Sequence, residues 1–291
     1  NKKFKIQKNI IENYLKFGFR SLFRNVGEKT FFKEIKFLEP GRYLEINEKL
    51  EVKNRIFWDP TKINIKKFLS YSNETKRLSD TYKNIIKERT VSDFPVACLL
   101  SGGIESASIA SLVSKLKVKK NFQCFSTYSN DPKYDESKYI KKTIDKYNLK
   151  HTYVKVKKNN NKNLKLLSDI IDKTGNIIPT ITSLLYSYLC NTIKKKKYKV
   201  LLTGVGGDEM FGGYYIHHLH YLKSLQLEKK NKLFLKSFYE WNIHTKKYIR
   251  SNHLKNFDNY SKYYNKIDLT SFESLHLKKY FKKYKVKKIK E

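Results

Sequence analysis

Two short glycine-bearing segments are the residues best suited to chemistry: Ser101-Gly102-Gly103-Ile104-Glu105-Ser106 and Gly204-Val205-Gly206-Gly207-Asp208-Glu209. Small residues leave backbone N–H groups uncovered, and at a helix N-terminus those groups and the helix dipole together attract phosphate. The spacing is not that of a P-loop, which needs Gly-x-x-x-x-Gly-Lys followed by Ser or Thr, nor of the Gly-x-Gly-x-x-Gly dinucleotide fingerprint. Taken alone, the first hexapeptide also fits a glycine turn that only tightens a strand-helix junction.

The elements around the two segments decide between these readings. Pro95 to Leu100 is a short apolar run and Ala107 to Leu116 a helical stretch, so the first segment lies between a buried strand and a helix. Phe122 to Thr127 reads as a strand, and Tyr134-Asp135-Glu136-Ser137 leads into a helix from Lys138 to Tyr147. His151 to Val156 alternates like another strand, Pro179 to Ser183 opens a helix reaching Thr192, and Tyr198 to Leu202 is the strand feeding the second segment. Strands and helices alternate, which predicts a parallel sheet flanked by helices. Ligands of such sheets bind outside the carboxyl ends of the strands, where both glycine segments fall.

With these blocks in order, residues 95 to 215 resemble the synthetase domain of glutamine-dependent asparagine synthetases, within the ATP-pyrophosphatase superfamily. The resemblance rests on Leu100 to Ser106, which matches strand followed by Ser-Gly-Gly-x-acid-Ser. It rests equally on Thr203 to Tyr214, ending Phe211-Gly212-Gly213-Tyr214, with Asp135-Glu136-Ser137, His151 and Pro179 to Ser183 as landmarks between. Upstream, Thr30 to Leu44 resembles the closing strands of the family's N-terminal glutaminase domain, and Phe57-Trp58-Asp59-Pro60 the exit into its linker. Read physically, Pro40-Gly41 is a turn between two strands and Trp58 packs on the sheet.

The resemblance implies an α/β fold: an adenine nucleotide alpha hydrolase-like sheet flanked by helices, preceded by a β-rich remnant of an N-terminal-nucleophile glutaminase domain. It divides the chain into a glutaminase tail at 1–60, a helical linker at 61–90 and an ATP-pyrophosphatase domain at 91–291. The implied reaction is adenylation of the side-chain carboxylate of aspartate by ATP, release of pyrophosphate, and displacement of AMP by ammonia drawn from glutamine. Leu100 and Thr127 would flank the adenosine, while Ser101, Gly102, Gly103 and Ser106 hold phosphates. Glu105 and Asp208 would face pyrophosphate through Mg2+, since a hard cation takes carboxylate and phosphate oxygens together. Thr203 and Gly204 would hold the adenylated intermediate.

The chain departs from the family pattern at two site positions. Glu105 replaces an Asp, keeping the charge and adding a methylene. Val205 stands at a usually acidic position thought to assist ammonia attack, and valine neither accepts a proton nor hydrogen-bonds. An amidotransferase acting on another carboxylate, or a nucleotide-binding pseudoenzyme with a structural role, are the alternatives these departures keep open. The glutaminase nucleophile is an N-terminal cysteine in the family, whereas position 1 here is Asn1. No Arg-x-Pro-Phe-Leu-Asp segment follows Tyr214 either, so the expectation is a chain truncated at both ends.

Composition bounds the rest. Hydrophobic residues make up 40% of 291, enough for a packed core, and no apolar run reaches the ~20 residues a membrane helix needs. The net charge of +35 invites a nucleic-acid reading, but of 62 basic residues only seven are Arg, the residue whose planar fork recognises phosphate and base edges. Nucleic acid is therefore not the expected partner, and the lysine-rich runs 157–165 and 194–199 read as solvated loops. Cys98, Cys124 and Cys190 lack metal or disulfide spacing and read as buried thiols of a cytoplasmic, reducing compartment. His217, His218 and His220 have no acidic or cysteine partner at zinc spacing. A homodimer is compatible with the family.

Overall fold

The computed structural model of the chain describes residues 4–17, 29–64, 70–117, 121–128, 135–155, 160–178, 182–249 and 252–264. The amphipathic spacing of Leu275 to Tyr284 predicts a helix, and those residues lie outside the described ones. The chain forms two compact units, the described residues of the first coming from the segments up to Asp80 and 158–187, those of the second from Thr81–Lys157 and Tyr188–Ser271.

The first unit contains helix α1 (Lys8–Phe17) and an antiparallel hairpin of β1 (Arg42–Ile46) and β2 (Val52–Ile56), in register Arg42 to Ile56 and Ile46 to Val52. The turn expected at Pro40-Gly41 lies just before β1, and the hairpin itself turns at 47–51. There the Asn47 side chain accepts from the Glu51 backbone N–H (2.9 Å) and donates to its carboxylate (2.7 Å). Gly41 instead closes the far end: its carbonyl accepts from Phe57 N (2.9 Å) and Trp58 N (3.2 Å), at a φ of +74° that favours glycine. Helix α2 (Tyr71–Arg89) falls within the expected linker and runs from the first unit into the second. In the first unit, residues 160–165, expected as loop, begin helix α5 (Asn160–Thr174). The apolar spacing Leu164, Leu167, Ile170 and Ile171 outweighs the asparagine-rich start of that segment.

The second unit holds the sheet. Among the described residues four parallel strands, β3 (Val96–Leu99), β4 (Gln123–Thr127), β5 (His151–Val154) and β6 (Val200–Leu202), lie in the order β5-β4-β3-β6. Helix α3 (Ile104–Leu116) follows β3 and α4 (Ser137–Tyr147) follows β4. Helix α6 (Thr182–Lys195), begun in the first unit, precedes β6. The chain then continues through the short α7 (Gly207–Phe211) into α8 (Tyr215–Leu227), α9 (Asn231–Glu240) and α10 (Phe257–Tyr264), with a π-helical turn at Trp241–Thr245.

Side chains leave the sheet alternately to its two faces, as the pleat requires. Cys98, Leu100, Cys124 and Leu202 pack with Ile109, Val113 and Ile140 of α3 and α4 and with Ile86 of α2. Ala97, Leu99, Phe125, Val154 and Leu201 pack on the opposite face with Leu189 and Ile193 of α6. Both faces are covered at β3, so Val96 to Leu99 reads as an unbroken apolar run, whereas the outer strand β5 alternates. Cys98 and Cys124 are buried as expected, but Cys190 is exposed, because Leu189 and Ile193 take the inward stripe of α6. No helix among the described residues is long and apolar enough to cross a membrane.

Phe125 is fully buried and meets Tyr198 edge-on at 5.7 Å. Phe125→Ala is therefore expected to lower unfolding free energy by about 3–5 kcal/mol, read from urea midpoints, with little change in the denaturant slope.

Candidate active site

Because β3 and β6 are paired neighbours, the loops leaving their carboxyl ends are forced together. The contact is tight. A Cβ placed on Gly204 would fall 2.8 Å from Glu105 Cβ and 2.9 Å from the Ser106 nitrogen, and one on Gly207 2.5 Å from Glu105 Cγ. Glu105, in the first turn of α3, is thus seated on the second loop, and only glycine at 204 and 207 leaves room for it.

The second loop turns through Gly206 (φ +100°) into α7, which ends at Gly212 (φ +68°). This presents Asp208, whose carboxylate overlies Gly213 closely enough that any side chain there would collide with it. Burial, then the charges of Glu105 and Glu209 and a hydrogen bond with Glu105, raise the Asp208 carboxyl above the ordinary aspartate value. Glu209 goes the other way: its own backbone N–H and the Tyr214 hydroxyl (2.9 Å) hold it below the usual carboxylate range. Two carboxylates brought this close from different loops repel one another unless they share a proton or a divalent cation. Mg2+ takes one or two carboxylates and completes its shell with phosphate oxygens and water, so Glu105 and Asp208 fit that ion. Among the described residues no group of three or more His, Cys, Asp or Glu is placed to hold a metal by itself.

The first loop meets its own hydrogen-bonding needs. Ser101 N–H donates to Ser106 Oγ (2.9 Å), Gly103 N–H to Ser101 Oγ (3.2 Å), and the two hydroxyls lie 2.8 Å apart. Gly102 N–H donates to the Glu136 carboxylate (2.8 Å), which precedes α4. Helix α3 starts at Gly103 without a side-chain cap, leaving its first-turn N–H groups to offer a phosphate. Ser106 is buried, whereas Gly102 and Gly103 are half-buried.

Behind the loop, β4 and β5 brace it. Leu100 N–H donates to Phe125 O (2.9 Å), and the Ser126 hydroxyl donates to the Leu100 carbonyl. Since that proton is engaged, Ser126 Oγ accepts from His151 Nε2 at 2.8 Å, which sets the Nε2–H tautomer. Leu100 itself is in the core, so its side chain is not open to a ligand. Thr127 ends β4 and Thr203 follows β6, both half-buried at the carboxyl ends of their strands. Val205 is 76% exposed on the second loop.

The brace residues Ser126 and His151, and Glu136, have no site role in the sequence reading. The signal for Glu136 was an acidic residue just before a helix; for Ser126 and His151 it was polar residues within apolar strands. The three clustered histidines diverge: His217 packs its ring on Tyr214 (5.2 Å), and His220 Nδ1 shares a hydrogen bond with Tyr260 (2.7 Å).

Burial pushes His151 down from 6.5 to about 4. Above pH 6.5 folded and unfolded chains both keep it neutral; as pH falls from 6.5 towards about 4 only the unfolded chain takes the proton, so stability declines across that window and then levels. His151→Asn is expected to remove this component of the acid sensitivity, seen as a flatter plot of unfolding free energy against pH.

Residues 77–283 match the asparagine synthase family. A Methanocaldococcus jannaschii protein, provisionally named asparagine synthetase (glutamine-hydrolyzing) 2, is 27% identical over 231 residues, covering 75% of this chain and 40% of the relative. Amidase chyE of Penicillium rubens and amidase chry2 of Gibberella zeae are each 26% identical over 208 residues, covering 65% of this chain and 30% of the relative. The chain thus spans less than half the length of these curated relatives. An NH3-dependent NAD synthetase from Campylobacter jejuni superposes with a TM-score of 0.34 at 17% identity, over 74% of this chain and 99% of that one. With the family match covering most of its length, the chain belongs to the asparagine synthase family.

Proposed function

We propose that the chain carries the ATP-dependent ligase site of an asparagine synthetase: the aspartate side-chain carboxylate attacks the α-phosphorus of ATP, pyrophosphate leaves, and ammonia then displaces AMP to give asparagine. In this reading residues 1–60 are the tail of a glutaminase domain, 61–90 the linker and 91–291 the synthetase domain, with glutamine as the nitrogen source. The observation that carries it is the meeting of Glu105 with Gly204 and Gly207, which brings the Glu105 and Asp208 carboxylates together beside an uncapped helix start.

Each residue then has a part. The first-turn N–H groups of α3 and the hydroxyls of Ser101 and Ser106 receive phosphate oxygens; Glu105 and Asp208 hold Mg2+, which when bound would neutralise the departing pyrophosphate. Thr203 and Gly204 line the path of the acyl-adenylate, and Thr127 lies at the edge that receives the adenosine. Val205 supplies no proton acceptor at the second loop, so ammonia must reach the acyl carbon already neutral or be deprotonated by another group.

A second acceptor remains in view because two relatives are named amidases and because exposed Val205 brings no charge to the site. Under this reading the same site activates a different carboxylate. ATP-pyrophosphate exchange measured with aspartate and with a panel of carboxylic acids separates the two: exchange dependent on aspartate supports the first, exchange on another acid but not aspartate the second. No exchange with any acid, together with no ATP binding, would leave neither standing.

Two substitutions test the geometry. Asp208→Asn is expected to lower exchange roughly 100-fold or more and to blunt its dependence on Mg2+ concentration, since the ion's contribution is worth several kcal/mol. An unchanged Mg2+ profile would reduce Asp208 to a structural role. Gly207→Ala displaces Glu105 and is expected to weaken Mg-ATP binding roughly 10- to 100-fold by calorimetry; affinity within twofold of wild type would separate the loop contact from nucleotide binding.

A further inference from the structure

The three N–H groups of the first loop are each closed by a side chain: Ser106 for Ser101, Ser101 for Gly103, and Glu136 for Gly102. The covers are not equivalent. A serine hydroxyl can rotate and donate to an arriving phosphate, so Ser101 and Ser106 change from covers to ligands without leaving. A glutamate carboxylate only accepts, and it carries the same sign of charge as the phosphate. Where Glu136 sits, an anion already occupies the cradle.

Its local setting fits an alternative position. Glu136 is the residue before α4, yet its side chain does not cap that helix; Asp135 serves the helix start instead, accepting from Ser137 N (3.1 Å) and Ser137 Oγ (2.8 Å). Glu136 holds α4 by its backbone carbonyl, which accepts from Tyr139 N (3.0 Å) and Ile140 N (3.1 Å). Its carboxylate is exposed, so it can turn into water without leaving a buried charge behind, and the helix keeps its first turn. The first turn of α4 meanwhile abuts the loop: a Cβ on Gly102 would lie 3.0 Å from Glu136 Cβ and 3.3 Å from Tyr139 Cβ.

We propose that Glu136 is a displaceable anionic cover of the phosphate loop, hydrogen-bonded to Gly102 N–H until a polyphosphate takes that donor and the carboxylate swings out. The inference rests on the reading of this site as an ATP site. It makes the residue a filter: a weakly charged anion competes poorly with the tethered carboxylate, whereas a polyphosphate bridged by Mg2+ to Glu105 and Asp208 outcompetes it.

The test is calorimetric titration of the whole chain, wild type and Glu136→Gln, with Mg-ATP and with Mg-pyrophosphate. Gln keeps an oxygen for Gly102 N–H and removes the charge. E136Q is expected to bind both roughly three- to tenfold more tightly, as loss of one nearby like charge implies. Binding by E136Q alone would equally support the cover. Equal or weaker binding by E136Q, with wild type binding normally, would overturn it and make Glu136 a fixed brace, while leaving the ATP site intact. Failure of both proteins to bind either ligand would overturn the ATP reading and the cover with it. Glu136→Ala serves if E136Q is unstable: tighter binding again supports displacement, and unchanged or weaker binding refutes it.

Discussion

Everything at this site depends on the close approach of two backbone loops around one side chain. Glu105 rests on Gly204 and Gly207 with no space for a Cβ at either position. That approach follows from the pairing of β3 with β6, which places two strand ends side by side and leaves their following turns no room to diverge. Had β6 lain at the other edge of the sheet, the same two motifs would be far apart and Glu105 and Asp208 would be unrelated surface carboxylates. The pairing is held by alternating side chains, with Cys98 and Leu202 on one face and Ala97 and Leu201 on the other, so core packing and site geometry are one constraint.

The electrostatics work at two scales. Overall the chain carries a net charge of +35, a field that draws polyphosphate anions towards it without selecting among them. Locally the site is acidic: Glu105 and Asp208 press on each other, Glu209 lies beside them, and Glu136 is bonded to the loop. In the proposed reading, an anion drawn in by the distant lysines would meet repulsion at these carboxylates, which a divalent cation would relieve. Such an arrangement suits a ligand that arrives with its metal rather than as a bare anion.

Rigidity is supplied from behind. Leu100 is held by Phe125 through its N–H and by Ser126 through its carbonyl, and His151 orients Ser126 in turn. Burial keeps His151 neutral at ordinary pH, so the brace does not add a positive charge under the loop. The front of the loop is different in kind, because two of its covers, Ser101 and Glu136, are exposed, while Ser106 is buried. In the proposed reading, the fixed back lets the loop hold its shape while Glu136 gives up its hydrogen bond to a ligand.

The sequence by itself determined the order of elements, the two glycine loops, the strand-loop-helix context and the family pattern. These are local: an apolar run such as Val96 to Leu99 and the glycines after it declare themselves within a few residues. It also placed Glu105, Asp208 and Val205 on those loops. Where local signals were mixed it misjudged structure, as at Asn160 to Lys165, where asparagines hid a helix, and it did not show the hairpin turn at Asn47 to Glu51, which a side chain closes. Only the tertiary structure decided that β6 lies beside β3, that the Glu105 and Asp208 carboxylates meet, that His151 reaches Ser126, and that Glu136 covers Gly102. Each of these joins residues from separate elements, and such contacts are fixed by sheet order and packing rather than by the identity of neighbours along the chain.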